Sequence, residues 1–184
     1  MSISETIRNR RTTNQFKEQK LPQETVLRLL NDAVWAPNHG LREPWRFIFA
    51  AEEGKSQLVN SLYNILLKGK FKGADEEQKA KWLKYANSVP AYLVVVMPEA
   101  AHPHIRDEDM MAAASLVQNF QLAAWDEGIG MLWHTGEYIY NKDFRNTLGV
   151  QPGEKIIAVL HMGFVEKAGA ARPRTPAEER FTVL

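Results

Sequence analysis

Ala36-Pro37-Asn38-His39-Gly40-Leu41-Arg42-Glu43-Pro44-Trp45-Arg46-Phe47 joins an amphipathic segment to an alternating one. Before it, Val26, Leu29, Leu30, Ala33 and Val34 recur at helical spacing, which predicts a helix opened by Pro22 and ended by Pro37. After it, Trp45 to Ala51 alternates and predicts a strand. Asn38 to Pro44 has no period and reads as a loop. Polar groups held between two prolines can be set against a planar ligand with little entropy left to lose on binding.

Upstream, Ser2 and Glu5 form a capping-box pattern, and Ile3 and Ile7 share a face. They predict a short first helix that runs into Arg8, Arg10 and Arg11. Downstream, Leu58, Leu62, Ile65 and Leu66 mark a third helix. The polar stretch 68–87 reads as helical, anchored by Trp82 and Tyr85, and its charges predict an exposed excursion. Ala91 to Met97 is a β-branched run suited to a buried strand. Asp107 to Gly128 predicts the longest helix, rich in alanine and central. Met131 to His134 and Ile156 to Phe164 predict two more strands, with a short helix around Phe144 between them. The tail turns to Gly, Ala, Pro and Arg and closes on Phe181-Thr182-Val183-Leu184. Such an apolar end needs a dock, either on a partner subunit's sheet or on its own core.

The 184 residues fit one domain, 1–184, with room for a sizeable core. A net charge of +1 gives no general reason to bind nucleic acid or membranes. The absence of cysteine excludes disulfides, thiolate catalysis and cysteine-ligated metals. Ser4, Glu5, Arg8 and Asn9 interrupt any secretory apolar run, and Ala91 to Met97 is too short to span a bilayer, so the expected location is the cytoplasm.

Three apparent motifs fail. Gly54-Lys55-Ser56 ends like a phosphate-binding loop, but Phe49 stands where that pattern needs glycine. Gly128-Ile129-Gly130 follows a helix instead of a strand, and Trp133 occupies the third glycine position of a dinucleotide fingerprint. His102-Pro103-His104 with Asp107, Glu108 and Asp109 has metal-like ligands, yet reads better as an extended turn leading into a helix's acidic first turn. No metal site is expected.

The remaining candidates are chemically coherent. Arg10-Arg11-Thr12 lies where a helix gives way to a loop. Guanidinium groups fork around phosphate, and a neighbouring hydroxyl can donate to the same oxygens. The same residues would also serve as a solvated basic helix end. Trp133-His134-Thr135-Gly136 places donors and an aromatic ring at the end of a strand, and Arg172 and Arg174 are further phosphate candidates.

Taken in order, Arg-Arg-Thr, Ala-Pro-Asn-His with Pro-Trp, a Trp-His-Thr-Gly segment and an Arg-Pro tail resemble the FMN-dependent nitroreductase family over nearly the whole chain. The Ala36 to His39 and Pro44 to Phe47 motifs look closest to a compact subgroup of it. The resemblance implies an α+β fold, a central mostly antiparallel sheet flanked by helices. It also implies a homodimer with FMN at the interface, and NADH or NADPH as a transient donor. Arg10, Arg11 and Thr12 would hold the FMN phosphate and ribityl end, and Arg174 would complete that site. His39 would approach the cofactor from the partner subunit. Trp133, His134 and Thr135 would line the isoalloxazine, with backbone donors near Thr135 and Gly136 facing its reactive edge.

The implied activity is reduction of nitroaromatics, quinones or similar flat acceptors by a ping-pong mechanism, with no obligatory side-chain acid or base. Dehalogenation or substrate oxidation on the same fold, with 68–87 as a lid, and a non-catalytic flavin-binding dimer are the alternatives. Three residues depart from the pattern: Trp35 where relatives carry a basic flavin contact, Leu41 for Asn and Glu43 for Gln. Trp35 also reads as a core residue at a helix end.

Overall fold

The computed structural model describes residues 2–184. Its frame is a four-stranded sheet of β1 (Arg46–Ala50), β2 (Ala91–Pro98), β3 (Ile129–His134) and β4 (Glu154–Phe164). The spatial order is β1-β2-β4-β3, and every strand pair is antiparallel. The α+β expectation of a central antiparallel sheet flanked by helices therefore holds.

Strand alternation sorts the core into two layers. From β2, Leu93, Val95 and Met97 face one cluster, while Tyr92, Val94 and Val96 face the other. The first layer is covered by α2 (Gln23–Ala33) and α5 (Pro103–Asp126), with α1 (Ile3–Asn9) against α5. The second lies under α3 (Glu52–Lys68), α4 (Glu76–Ser88) and α6 (Lys142–Thr147). Helix α5 is central because its alanines let it sit close: Ala112, Ala113, Leu116, Val117, Phe120 and Ala124 are all buried. Truncating Phe120 to alanine would cost about 3–5 kcal/mol through lost burial and the cavity left behind.

Local signals behave as their chemistry dictates. Ser2 caps α1 with the reciprocal Glu5 bond. Helix α5, however, begins at Pro103, four residues before the expected start, and has no acid in its first turn. Proline is well placed at a first helical position, where its missing N–H is no loss. The acids therefore fall one turn later, where they hold Arg42. The stretch after α3 is more than an exposed excursion: Phe71 is buried, and Trp82 stacks on Tyr63 at 5.7 Å. Trp35 is 87% exposed, which corrects its reading as a core residue. Its neighbours Val34 and Ala36 pack on the core, so the turn that closes α2 leaves Trp35 facing outward.

The tail forms no strand beyond β4. Phe181, Val183 and Leu184 are exposed, so packing on the chain's own core is excluded.

Candidate active site

The stretch from Arg10 to Lys17 runs along the open edge of β3 and past the end of β4. Thr12 bridges Met131 in parallel, and Thr13 N–H donates to Met131 O at 3.0 Å. Farther along, Phe16 bridges Val165, and Lys17 N–H donates to Phe164 O at 2.9 Å. Glycine is required where this edge is crowded. A Cβ on Gly130 would lie 2.7 Å from Thr13 Oγ1, and one on Gly169 would lie 3.1 Å from Thr12 O. The absence of a side chain at Gly169 lets the returning tail lie against Thr12.

That return builds the first half of the site, a recess of about 470 Å³ lined by Arg10, Arg11, Thr12, Gly169, Arg172 and Arg174. None of these four arginines takes part in an ion pair of the described residues. Arg10 reaches only the neutral Gln121 Oε1, at 3.4 Å. Arg11 and Arg174 bond backbone carbonyls within their own turns. Burial holds the Arg10 pKa below its ordinary value, and repulsion from Arg11 and Arg174 adds to it. Like charges gathered without a counter-charge raise the energy of the recess, and an anion would relieve it.

Asn14, two residues and about 7 Å of extended chain from Thr12, lines the second half of the site. This is a cavity of about 600 Å³ between the sheet, α3 and α4. Its walls are aromatic: Trp82, Tyr85, Tyr92, His134, Tyr138 and His161. His134 stacks on Tyr138 at 5.5 Å and on His161 at 5.6 Å, and its Nδ1 lies 2.8 Å from Tyr138 Oη. Tyr92 donates to Ala86 O at 2.8 Å. A Cβ on Gly136 would lie 2.5 Å from the Tyr138 ring, so glycine sets how closely that ring closes the wall.

Burial, and secondarily Lys70, lowers the His134 pKa, while burial, and secondarily His134, takes His161 down to about 3. Burial pushes Tyr85 up to about 12. At neutral pH these imidazole and phenol groups are thus uncharged, and Lys70 and Glu137 are the charged residues of the lining. Such a cavity takes a flat, largely apolar group and shields it from water.

The sequence-expected residues separate into three places. Arg10, Arg11, Thr12 and Arg174 meet in the recess. His134 and Gly136 line the aromatic cavity. Trp133 points to the opposite sheet face from His134, as strand alternation demands, and its indole N–H donates to Ile157 O at 3.3 Å. Thr135, which follows His134 in the chain, is exposed.

His39 is elsewhere, exposed in a short 3-10 turn, with Nδ1 3.4 Å from Glu108 on α5. Arg42 fixes that loop by reaching Glu108 at 2.7 Å and Asp109 at 2.8 Å. Leu41 and Glu43 both adopt positive φ, 50° and 47°. Non-glycine residues rarely hold such angles, so the loop's shape is enforced at some cost. His104 also pairs with Glu108, at 3.1 Å, and no metal-binding cluster exists among the described residues.

His161 and Tyr138 escape sequence reasoning. His161 leaves one trace, a lone polar residue inside the apolar run Ile156 to Phe164. Asn14 and Gly169 leave none, because their roles come from chain segments meeting at a sheet edge.

By fold and site this is an α+β protein with a basic recess beside a flat aromatic cavity. The nitroreductase family profile matches residues 7–164. The chain is 37% identical over 183 residues to YfhC of Bacillus subtilis (strain 168), provisionally named as an NAD(P)H nitroreductase, covering 99% of this chain and 94% of that protein. It is 26% identical over 187 residues to an iodotyrosine deiodinase of Thermotoga neapolitana, covering 96% of each. The crystal structure of NfnB from Sphigopyxis sp. strain HMH, an FMN and NADPH-dependent nitroreductase, matches with a TM-score of 0.82 at 15% identity, covering 100% of this chain and 99% of that one. At that identity the likeness is one of fold. The chain belongs to the nitroreductase family. Among the described residues no helix is long and apolar enough to cross a membrane.

Proposed function

We propose that this protein is an FMN-dependent oxidoreductase that uses NADH or NADPH to reduce flat acceptors such as nitroaromatics and quinones by a ping-pong mechanism. The observation that carries this reading is the recess of four arginines without carboxylate partners among the described residues, joined within two residues to a largely aromatic cavity. FMN has matching parts, a phosphate dianion and a planar tricyclic ring separated by a short polyol. Arg10, Arg11, Arg172 and Arg174 would neutralise the phosphate, with the Thr12 hydroxyl beside them. The cavity bounded by His134, Tyr138 and Tyr85 would enclose part of the ring.

Bound FMN supplies the two-electron redox step. The chain's residues supply anchoring, exclusion of water and hydrogen bonds that do not titrate near neutrality. The missing dinucleotide fingerprint agrees with a nicotinamide that docks only transiently. For a nitro acceptor, one turnover converts RNO2, NAD(P)H and a proton into RNO, NAD(P)+ and water, with protons drawn from solvent.

We assign the working form as a homodimer. Ile3, Ile7, Leu27, Trp35, Leu41 and Met111 are exposed on α1, α2, the turn after α2, the 38–44 loop and α5, all of one helical layer. A second copy would cover them. His39, far along α5 from the Gln121 that meets Arg10, would then serve the partner's cofactor. Phe181 to Leu184 would add to the partner's sheet beside β1, whose outer edge is unpaired. Trp133, on the other sheet face, and the exposed Thr135 lie outside the enclosed cavity and would reach the ring only where it extends past the edge of β3.

The deiodinase relative favours a second reading in which the same reduced cofactor removes halide from a halophenol. Anaerobic reduction followed by a nitroaromatic, a quinone and an iodophenol in parallel separates the two. Rapid reoxidation by the first two only is expected. Reoxidation by the iodophenol alone overturns the nitroreductase reading, as does failure of NAD(P)H to reduce bound FMN, and reduced FMN that the iodophenol does not reoxidise overturns the second.

A further inference from the structure

Tyr85 and His161 form a hydrogen-bonded pair at the wall of the aromatic cavity. His161, on β4, is 7% exposed, and its Nδ1 lies 2.9 Å from Tyr85 Oη. The ring is wedged edge-on against Tyr92 at 4.8 Å and stacked on His134 at 5.6 Å, so its orientation is fixed. Its other nitrogen, Nε2, is the one fully buried side-chain nitrogen or oxygen without a partner among the described residues. The ring's tyrosine neighbour Tyr92 directs its hydroxyl to Ala86 O, Tyr138 Oη pairs with His134 Nδ1, and neither comes within hydrogen-bond geometry of Nε2. A buried polar atom left alone is costly, and natural interiors rarely leave one without reason.

The pair also fixes the sign of what is offered. A phenol is a stronger acid than a neutral imidazole N–H, and an imidazole nitrogen is a stronger base than a phenol oxygen. Tyr85 O–H therefore donates to His161 Nδ1, and the imidazole proton resides on Nε2. What lies unsatisfied beside the cavity is a donor, held neutral by its surroundings.

We infer that His161 Nε2–H donates to an acceptor atom on the edge of the flat ring this cavity holds, making His161 a recognition residue and Tyr85 the positioning residue that sets its tautomer. The inference rests on the reading of the cavity as the flavin-ring site. The pyrimidine edge of an isoalloxazine carries carbonyl oxygens that gain negative charge on reduction. A donor there binds the reduced ring more tightly than the oxidised ring, which raises the flavin potential.

The test uses full-length protein stripped of flavin and titrated with FMN, followed by midpoint potentials of the reconstituted forms. His161→Leu removes the donor, and His161→Gln keeps an N–H in the same region. Tyr85→Phe releases Nδ1 to take the proton, leaving Nε2 an acceptor. Circular dichroism of each apoprotein reports folding. His161→Leu is expected to bind oxidised FMN several-fold more weakly and reduced FMN about tenfold more weakly still, which is a potential lower by about 30 mV for a two-electron couple. His161→Gln should recover part of both changes, and Tyr85→Phe should lower the potential as well. If His161→Leu fails to fold, the Gln and Phe variants carry the same test.

Wild-type affinity and potential in all folded variants would overturn the role of His161 while leaving the FMN site standing. Wild-type protein that takes up no FMN would overturn the site reading itself, and the inference with it.

Discussion

Arg10→Ala has opposite consequences for cofactor binding and for the empty fold. In the recess Arg10 touches one neutral acceptor, Gln121 Oε1 at 3.4 Å, and is repelled by Arg11 and Arg174. A hydrogen bond to a charged group contributes about 1.5–3 kcal/mol. At about 1.4 kcal/mol per tenfold, its loss should weaken FMN binding roughly 10- to 150-fold. The apoprotein loses no ion pair and sheds a repulsion, so its unfolding free energy should change by less than about 1 kcal/mol. Quenching of FMN fluorescence gives the first quantity and urea unfolding of apoprotein the second. The affinity loss should shrink as salt rises, because exposed parts of the recess are screened. Unchanged FMN affinity, or an apoprotein destabilised by several kcal/mol, would refute the phosphate assignment and make Arg10 a structural residue.

His161 makes stability pH-dependent in a defined window. Its folded pKa of about 3 lies below the ordinary value, so the stability it contributes is complete above pH ~6.5 and is lost as pH falls towards the folded value. At about 1.4 kcal/mol per pH unit, apoprotein should lose roughly 2 kcal/mol from this group between pH ~6.5 and ~5. Urea unfolding of wild type and His161→Gln at both pH values should differ by that amount, whereas equal slopes contradict a buried neutral imidazole. Gly136→Val drives a branched side chain into Tyr138, so it should cost about 1–3 kcal/mol of stability and open the cavity wall, read by denaturant melts and FMN titration. Ile7→Asp or deletion of 181–184 should shift the protein from dimer towards monomer in sedimentation equilibrium; a monomeric wild type removes the proposed role of the tail.

The elements were legible wherever local chemistry decides them. The Ser2–Glu5 cap, the stripe from Val26 to Val34 and the buried β2 run all appear in the structure close to where the pattern puts them. The start of α5 is not legible, because His102-Pro103-His104 suggests an extended turn while Pro103 is equally at home as a helix's first residue. The recess was half legible: Arg10 to Thr12 and Arg174 stand out as phosphate binders, but only the fold reveals that Gly169 brings the tail to Thr12. The aromatic cavity was mostly hidden. Its walls come from α3, α4, β2, β3, β4 and the turn after β3, and no local period encodes such a meeting. Trp35 shows the reverse failure, since helical spacing places it near a core face and the actual turn exposes it.

The most direct measurement is the absorbance spectrum of protein purified from an FMN-replete host, followed by anaerobic titration with NADH and with NADPH. The expected result is one FMN per chain, released on denaturation and bleached stoichiometrically by at least one nicotinamide. Protein that is colourless and takes up no added FMN, or a flavin that neither nicotinamide reduces, would contradict the assignment.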